Sequence, residues 1–312
     1  MIDRDEVLHS YGPDEPSRFI AIADHFLAEG DTALAACALD RAYGLAPDDR
    51  ELAQHRAQFL DSLAIEEHGI RWRYVPAGAF EMGSRHGDPD ERPVHPRFVA
   101  AFWIAETPLT WAQFCALLGW APPPNGSADA HPLAGFELRQ RNKIRRQYTR
   151  RRDEATWAPM VAAVPEEAWA IVERHPHYAL PTEAEWEKAA RGGLVGKRYA
   201  WGDEPPTRAR CDFDHFGDFE LADPRQLPAN GYGVFGMCGS VWEWTSDRYD
   251  ALAYHRAAQG DLRTIESNQP FVLRGGSWSD CADAVTVSFR MAEQFRLGSP
   301  NVGLRLVRRA IG

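Results

Sequence analysis

The sequence predicts an α+β fold that is poor in long regular elements and is preceded by a helical extension. Three observations carry that expectation. Eleven Trp, 22 Pro and 25 Gly in 312 residues imply an aromatic core held by irregular backbone, because Gly and Pro interrupt regular elements and each buried indole needs a partner for its N–H. Residues 16–64 repeat apolar side chains at helical spacing. From Arg71 onward short alternating stretches bounded by Gly and Pro replace that period. We therefore expect a helical unit over 1–68 and a main domain over 69–312, the latter carrying a basic insertion at about 121–158.

In the extension, Phe19, Ile22, Ala23 and Phe26 line one helix face, Gly30 and Asp31 stop and restart the helix, and Leu34, Cys37, Ala38 and Ala42 repeat the pattern. Pro47 then separates a third segment ending near Leu63. Small residues such as Ala35 and Ala36 allow close helix approach, as in a tetratricopeptide-like hairpin. About one repeat is present, whereas solenoids need roughly three. The extension is thus either a cap docked on the main domain or a partner-binding arm.

The main domain begins with WRYVPAGAFEMGS, where Trp72, Tyr74 and Phe80 alternate around Pro76-Ala77-Gly78, a hairpin signal. FVAAFWIA reads as a strand, Thr107-Pro108 as a break, and Thr110 as the cap of a following helix. Prolines space His86, Glu91 and His95 irregularly, so they read as loop residues rather than metal ligands. In LPTEAEWEKAARGG, Thr182 and Glu185 form a capping box and Gly192-Gly193 ends the helix. The run GYGVFGMCGSVWEWTSD at 231–247 reads as a buried loop core, with two indoles around the Glu243 carboxylate. NVGLRLVR at 301–308 alternates like a strand.

Charge and cysteine content exclude several classes. A formal charge of -10 argues against nonspecific binding to DNA or anionic membranes. The arginines between Arg139 and Arg152 reverse that sign locally, but only Tyr148 interleaves with them, which favours pairing with acidic protein surface over nucleic acid. No apolar run approaches the roughly 18 residues of a membrane span, and MIDRDEVLHSYG lacks a signal-peptide core. A soluble, cytoplasmic, bacterial-type protein is expected. Cys37, Cys115, Cys211, Cys238 and Cys281 are odd in number and form no CxxC pair, so no zinc site or disulfide framework is indicated. Asp212, Asp214, Asp218, Glu220 and Asp223 crowd one loop without the EF-hand order.

Taken in order, VPAGAFEMGS, ETPLTWAQF, LPTEAEWEKAARGG, YAWGDE, NGYGVFGMCGSVWEWTSD, VLRGGSW and NVGLRLVR resemble the formylglycine-generating enzyme and sulfatase-modifying-factor superfamily over about residues 71–310. The resemblance implies a C-type-lectin-like, loop-rich α+β fold. The superfamily is functionally mixed, holding copper-dependent oxidases, iron-dependent sulfoxide synthases, pyoverdine-maturation proteins and noncatalytic variable binding proteins. In the oxidases two cysteines five apart after the GGS[WFY] motif bind copper, and soft thiolates suit Cu(I). The matching positions here are Asp280 and Val285; Cys281 lies one residue off, with Thr286 five residues on. The helical region carries His25, His55 and His68 without the HxxxH spacing of the iron enzymes, and the segment after RGGSW has no Asn before Asn301, unlike the diversified binding proteins.

The resemblance further implies a candidate pocket of Trp242, Ser277, Trp278, Asp280, Cys281, Arg290 and Asn301. It also implies a structural calcium site at Gly236, Gly239, Val241 and Glu243, for which a salt bridge or backbone cap on Glu243 is the alternative. Two functional expectations follow. One is a noncatalytic binding or scaffold protein that meets a protein partner through pocket or arm. The other is a copper- or non-heme-iron-dependent oxidase or oxygenase using the surroundings of Cys281.

Overall fold

A computed structural model describes residues 4, 7, 15–119, 160, 163, 165–215, 221–263, 265, 268–293 and 299–310. The expected insertion at 121–158, with its segment 139–152, lies outside the described residues.

Three α-helices lie within residues 15–64, which are all described: α1 (Pro16–Ala28), α2 (Thr32–Leu45) and α3 (Arg50–Ser62). Asp31 caps α2 by accepting from Leu34 N–H, and Asp49 caps α3 by accepting from the N–H groups of Glu51 and Leu52. The expected breaks at Gly30-Asp31 and Pro47 are therefore those observed. Phe19, Ile22, Ala23 and Phe26 of α1 pack on Leu34, Ala35, Ala38 and Ala42 of α2. The methyl-sized residues on α2 let the two axes approach.

The extension does not stand apart from the main domain. Ala36 and Leu60 belong to the same buried cluster as Tyr74, Ile104, Trp186 and Met237. Arg56, 1% exposed, reaches across the seam: its Nε donates to Asp40 Oδ1 at 3.0 Å, Nη1 to Gly231 O at 2.8 Å and Nη2 to Gly192 O at 3.2 Å. The guanidinium lies between the rings of Tyr43 and Tyr232, 4.4 and 4.7 Å from their centroids, and Tyr232 Oη donates to Asp40 Oδ2. A buried cation with this many partners fixes the seam in one geometry. Gly231 must be glycine here, since a Cβ would lie 2.2 Å from Gly192 O.

Among the described residues the main domain holds two curled sheets and a small antiparallel strand pair. The first sheet runs in the order β1 (Ile65–Glu67), β2 (Ile70–Val75), β5 (Phe102–Ala105), β11 (Val307–Arg308), β6 (Tyr178–Ala179), with every pairing antiparallel. The second runs β10 (Val302–Gly303), β7 (Trp242–Arg248), β8 (Phe271–Arg274), β9 (Arg290–Glu293), with β10 parallel to β7. β3 (Gly78–Met82) pairs with β4 (His95–Val99). The main domain also carries helices α4 (Trp111–Leu117), α5 (Pro165–Arg174), α6 (Glu183–Arg191) and α7 (Ala253–Ala258).

Several local expectations are corrected. Pro76-Ala77-Gly78 does not turn a hairpin, because both edges of β2 are taken by β1 and β5 and the chain passes to a separate β3–β4 pair. The two carbonyls of that crossing, Pro76 O and Gly78 O, accept from the buried Lys188 Nζ at 2.6 and 2.9 Å. Trp242-Glu243-Trp244 is strand rather than loop: β7 is central in its sheet and these residues are buried on both faces, which erases the usual alternation. NVGLRLVR splits into β10 and β11, which serve different sheets. The Thr110 cap and the Thr182/Glu185 capping box form as read, Gln113 completes a box at Thr110 as well, and Gly192 closes α6 at φ 60°.

Candidate functional site

All nine residues of α6 are buried, including Glu183, Glu187, Lys188 and Arg191. Burying charge is costly unless it is paired and hydrogen-bonded, and the helix meets that demand through arginines of other elements. Glu187 Oε2 accepts from Arg274 Nη2 at 2.6 Å, and its Oε1 accepts from Arg191 Nη2 at 2.6 Å and from Gly83 N–H at 2.7 Å. Glu183 accepts from Arg290 Nε at 2.6 Å and Nη2 at 3.0 Å, and from Arg274 Nη1 at 3.2 Å. Tyr254 Oη donates between the two carboxylates. Burial alone would raise the Glu187 carboxyl, but Arg191 and Arg274 outweigh it and hold it below the usual range. This lattice clamps α6 to β3, β8 and β9.

Glu243 anchors a second buried centre. Arg305 Nε lies 3.0 and 2.9 Å from its two carboxylate oxygens and Nη2 lies 2.8 Å from Oε1, while Trp186 Nε1 donates to Oε2 at 2.7 Å. Arg305 also donates to Ala105 O and Phe235 O. Both oxygens of Glu243 are thus committed to a guanidinium and an indole. A divalent cation there would meet a fixed positive charge, so the Glu243 carboxylate, held by Arg305, does not fit calcium, and for Glu243 the salt-bridge alternative is what the structure contains.

The candidate pocket residues part company. Trp242, Ser277, Asp280 and Asn301 come together: Asp280 Oδ2 accepts from Trp242 Nε1 at 2.9 Å and from Ser277 Oγ, and Asn301 Nδ2 donates to Ser277 Oγ at 2.9 Å and to Ser279 Oγ at 3.1 Å. Ser299 Oγ donates to Asn301 Oδ1, and Asn301 O accepts from Trp242 N–H. The Trp278 ring is buried beneath, with His215 5.6 Å away. Cys281 is exposed beside this cluster, and Val285 is fully buried. Arg290 is not part of it, because Glu183 and the carbonyls of Asp90 and Asp250 hold its guanidinium elsewhere. Among the described residues no three His, Cys, Asp or Glu side chains are arranged to hold a metal ion. One exposed thiol does not fit a two-thiolate copper site.

The open space lies next to that cluster. A cleft of about 610 Å³ is lined by the Ser84–Asp88 loop, by Lys197, Arg198 and Asp203, and by Asp283, Thr286, Ser288 and Phe289. Lys197 pairs with Asp203 at 2.7 Å and Arg198 with Asp283, while Phe289 lies 5.9 Å from Trp242 and joins cleft to cluster. Residue spacing carries no signal for this cleft, since its walls come from three separate stretches of chain, 81–94, 196–203 and 283–289.

A smaller cavity of about 90 Å³ at the start of α6 is lined by Asp247, Glu183, His95 and Arg97. Asp247 Oδ2 accepts from Glu183 N–H at 2.6 Å, yet burial, followed by the Glu183 charge, pushes its carboxyl up to about 6 from 3.8. The folded state then holds an extra proton between about pH 4 and 6, so the stability this gives is present at pH 4 and lost as pH rises through 6. We expect Asp247→Asn to match the wild type near pH 4 and to exceed it at pH 7 by on the order of 2–3 kcal/mol. Urea unfolding at both pH values checks this; an equal difference at the two would contradict the assignment.

These features now meet their relatives. The sulfatase-modifying factor enzyme 1-like domain matches residues 70–310. A formylglycine-generating enzyme of Streptomyces coelicolor is 33% identical over 261 residues, covering 70% of this chain and 81% of that protein. An inactive C-alpha-formylglycine-generating enzyme 2 of Bos taurus is 39% identical over 141 residues, 40% of this chain and 42% of the relative. PvdO from Pseudomonas aeruginosa shares the fold at 21% identity with a TM-score of 0.60, over 79% of this chain and 98% of that one. No helix among the described residues is long and apolar enough to cross a membrane. With the match running from β2 to beyond β11, the last strand in sequence, the chain belongs to the sulfatase-modifying factor enzyme 1-like family.

Proposed function

We propose that this chain is a noncatalytic binding or scaffold member of its family, which presents the polar cleft beside the Ser277–Asp280–Asn301 cluster to a protein partner. One observation carries the reading. At the positions where the oxidases are expected to hold copper, Asp280 is engaged by Trp242 and Ser277 and Val285 is buried in the core. Neither offers a soft ligand, and Cu(I) prefers thiolates. A relative named as inactive is consistent with members that have left the oxidation behind.

The cleft suits an extended polar segment. It combines both signs of charge, the Thr286 and Ser288 side chains and the half-buried Phe289 ring, and mixed charge of this kind favours specificity over raw affinity. The helical extension, which we regard as a single tetratricopeptide-like hairpin with a third helix, contributes by bracing the domain through Arg56. The oxidase reading is tested directly by incubating the full chain with cuprous ion, oxygen and a cysteine-containing peptide, and following the peptide mass. No conversion of thiol to aldehyde is expected. Multiple-turnover conversion that disappears in Cys281→Ser would replace the binding reading with the oxidase.

A further inference from the structure

Two buried cysteines, 27 positions apart in sequence, each stand one residue before a bridged pair in the fold. Asp212 and Gly239 form an isolated parallel bridge, and Ser240 N–H donates to Asp212 O at 2.9 Å. In a parallel ladder the residues just before a bridged pair lie alongside each other and project to the same face. Here those residues are Cys211 and Cys238. The two backbones approach so closely that a Cβ on Gly239, at φ 78°, would lie 2.1 Å from Asp212 O. Both thiols belong to one core cluster, which also holds Tyr199.

Adjacent strands sit about 4.8 Å apart, which falls inside the roughly 4.4–6.8 Å Cα separation that a disulfide spans. The other cysteines occupy different settings: Cys37 is in α2, Cys115 in α4, and Cys281 is exposed.

We propose that Cys211 and Cys238 are a disulfide-forming pair that ties the 207–215 loop to the glycine-rich loop leading into β7, with a small-molecule disulfide such as oxidised glutathione as the oxidant. One cysteine thiolate attacks a glutathione sulfur and expels one glutathione thiolate. The second cysteine thiolate attacks the protein sulfur of the mixed disulfide and expels the other. Each expelled thiolate takes up a proton, so two protein thiols are oxidised to one disulfide while one oxidised glutathione becomes two reduced molecules. Burial pushes the Cys238 thiol up to about 12 and raises Cys211 as well. Exchange therefore proceeds while the loop is open, during folding or local unfolding, and the closed reduced protein resists it.

The test uses the full reduced chain in two arms, one refolded from denaturant in a glutathione redox buffer and one held native just below its melting temperature in the same buffer. Remaining thiols are alkylated and peptides mapped by mass. The expected result is a cross-linked peptide joining Cys211 to Cys238 and a higher melting temperature than the reduced chain. Both effects should be absent in Cys211→Ser and in Cys238→Ser and retained in Cys281→Ser. Alkylation of both residues in both arms, or a cross-link from either to another cysteine, would overturn the pairing. If the chain does not refold, the native arm decides alone.

Discussion

Removing residues 1–64 is expected to give a chain that aggregates rather than a trimmed, folded domain. The truncation strips Ala36 and Leu60 from the main core and removes the partner surface of Tyr232, Gly192 O and Gly231 O. It also opens the buried Lys188, whose ammonium is pulled down to about 8 by burial and lies in the field of Asp40. A point substitution isolates the polar part of this seam. Arg56→Ala leaves Asp40 and two carbonyls without their cation, and breaking a buried pair by deleting one partner costs about 3–5 kcal/mol. Equilibrium urea unfolding of the full chain carrying that substitution checks the magnitude. A soluble 65–312 fragment with native near-ultraviolet circular dichroism would contradict the docked extension and restore the independent arm.

The second large effect lies at Glu243. Arg305→Met leaves a buried carboxylate with only the Trp186 indole, and Glu243→Gln leaves a buried guanidinium with weakened partners; each should cost about 3–5 kcal/mol. Because the two act as one unit, the double substitution Glu243→Leu with Arg305→Met should cost much less than the sum. The same centre distinguishes the calcium reading. Anything that binds only the native state raises its stability in proportion to ln(1 + [L]/Kd), so millimolar calcium should leave the wild-type melting temperature unchanged. A calcium-dependent rise present in the wild type and absent in Glu243→Gln would show that Arg305 does not exclude the ion.

Much of the fold was legible because its signals are local. Asp31, Asp49, Thr110 and Thr182 each stand where a short polar side chain is needed by free helix N–H groups. The strand assignments that failed depended on long-range pairing instead. Nothing near Pro76 announces that β2 already has two neighbours, and nothing near Trp242 announces that β7 is central. The ion lattice was missed although a signal existed. Arg274 in VLRGG and Arg305 in GLRLV are single cations inside apolar runs, and each is fully buried. Such a residue demands a buried anion, and Glu183, Glu187 and Glu243 were the available partners. In the candidate site, the resemblance drew together Trp242, Ser277, Asp280 and Asn301, which do meet. It wrongly added Arg290, whose guanidinium the lattice claims.

In the proposed reading Cys281 has no second thiolate beside it with which to bind copper. The most direct measurement is the metal content of the full chain after anaerobic exposure to cuprous ion and removal of unbound metal by gel filtration. Copper far below one ion per chain is the expected result, with no change in Cys281→Ser. One copper per chain, lost in Cys281→Ser, would contradict it.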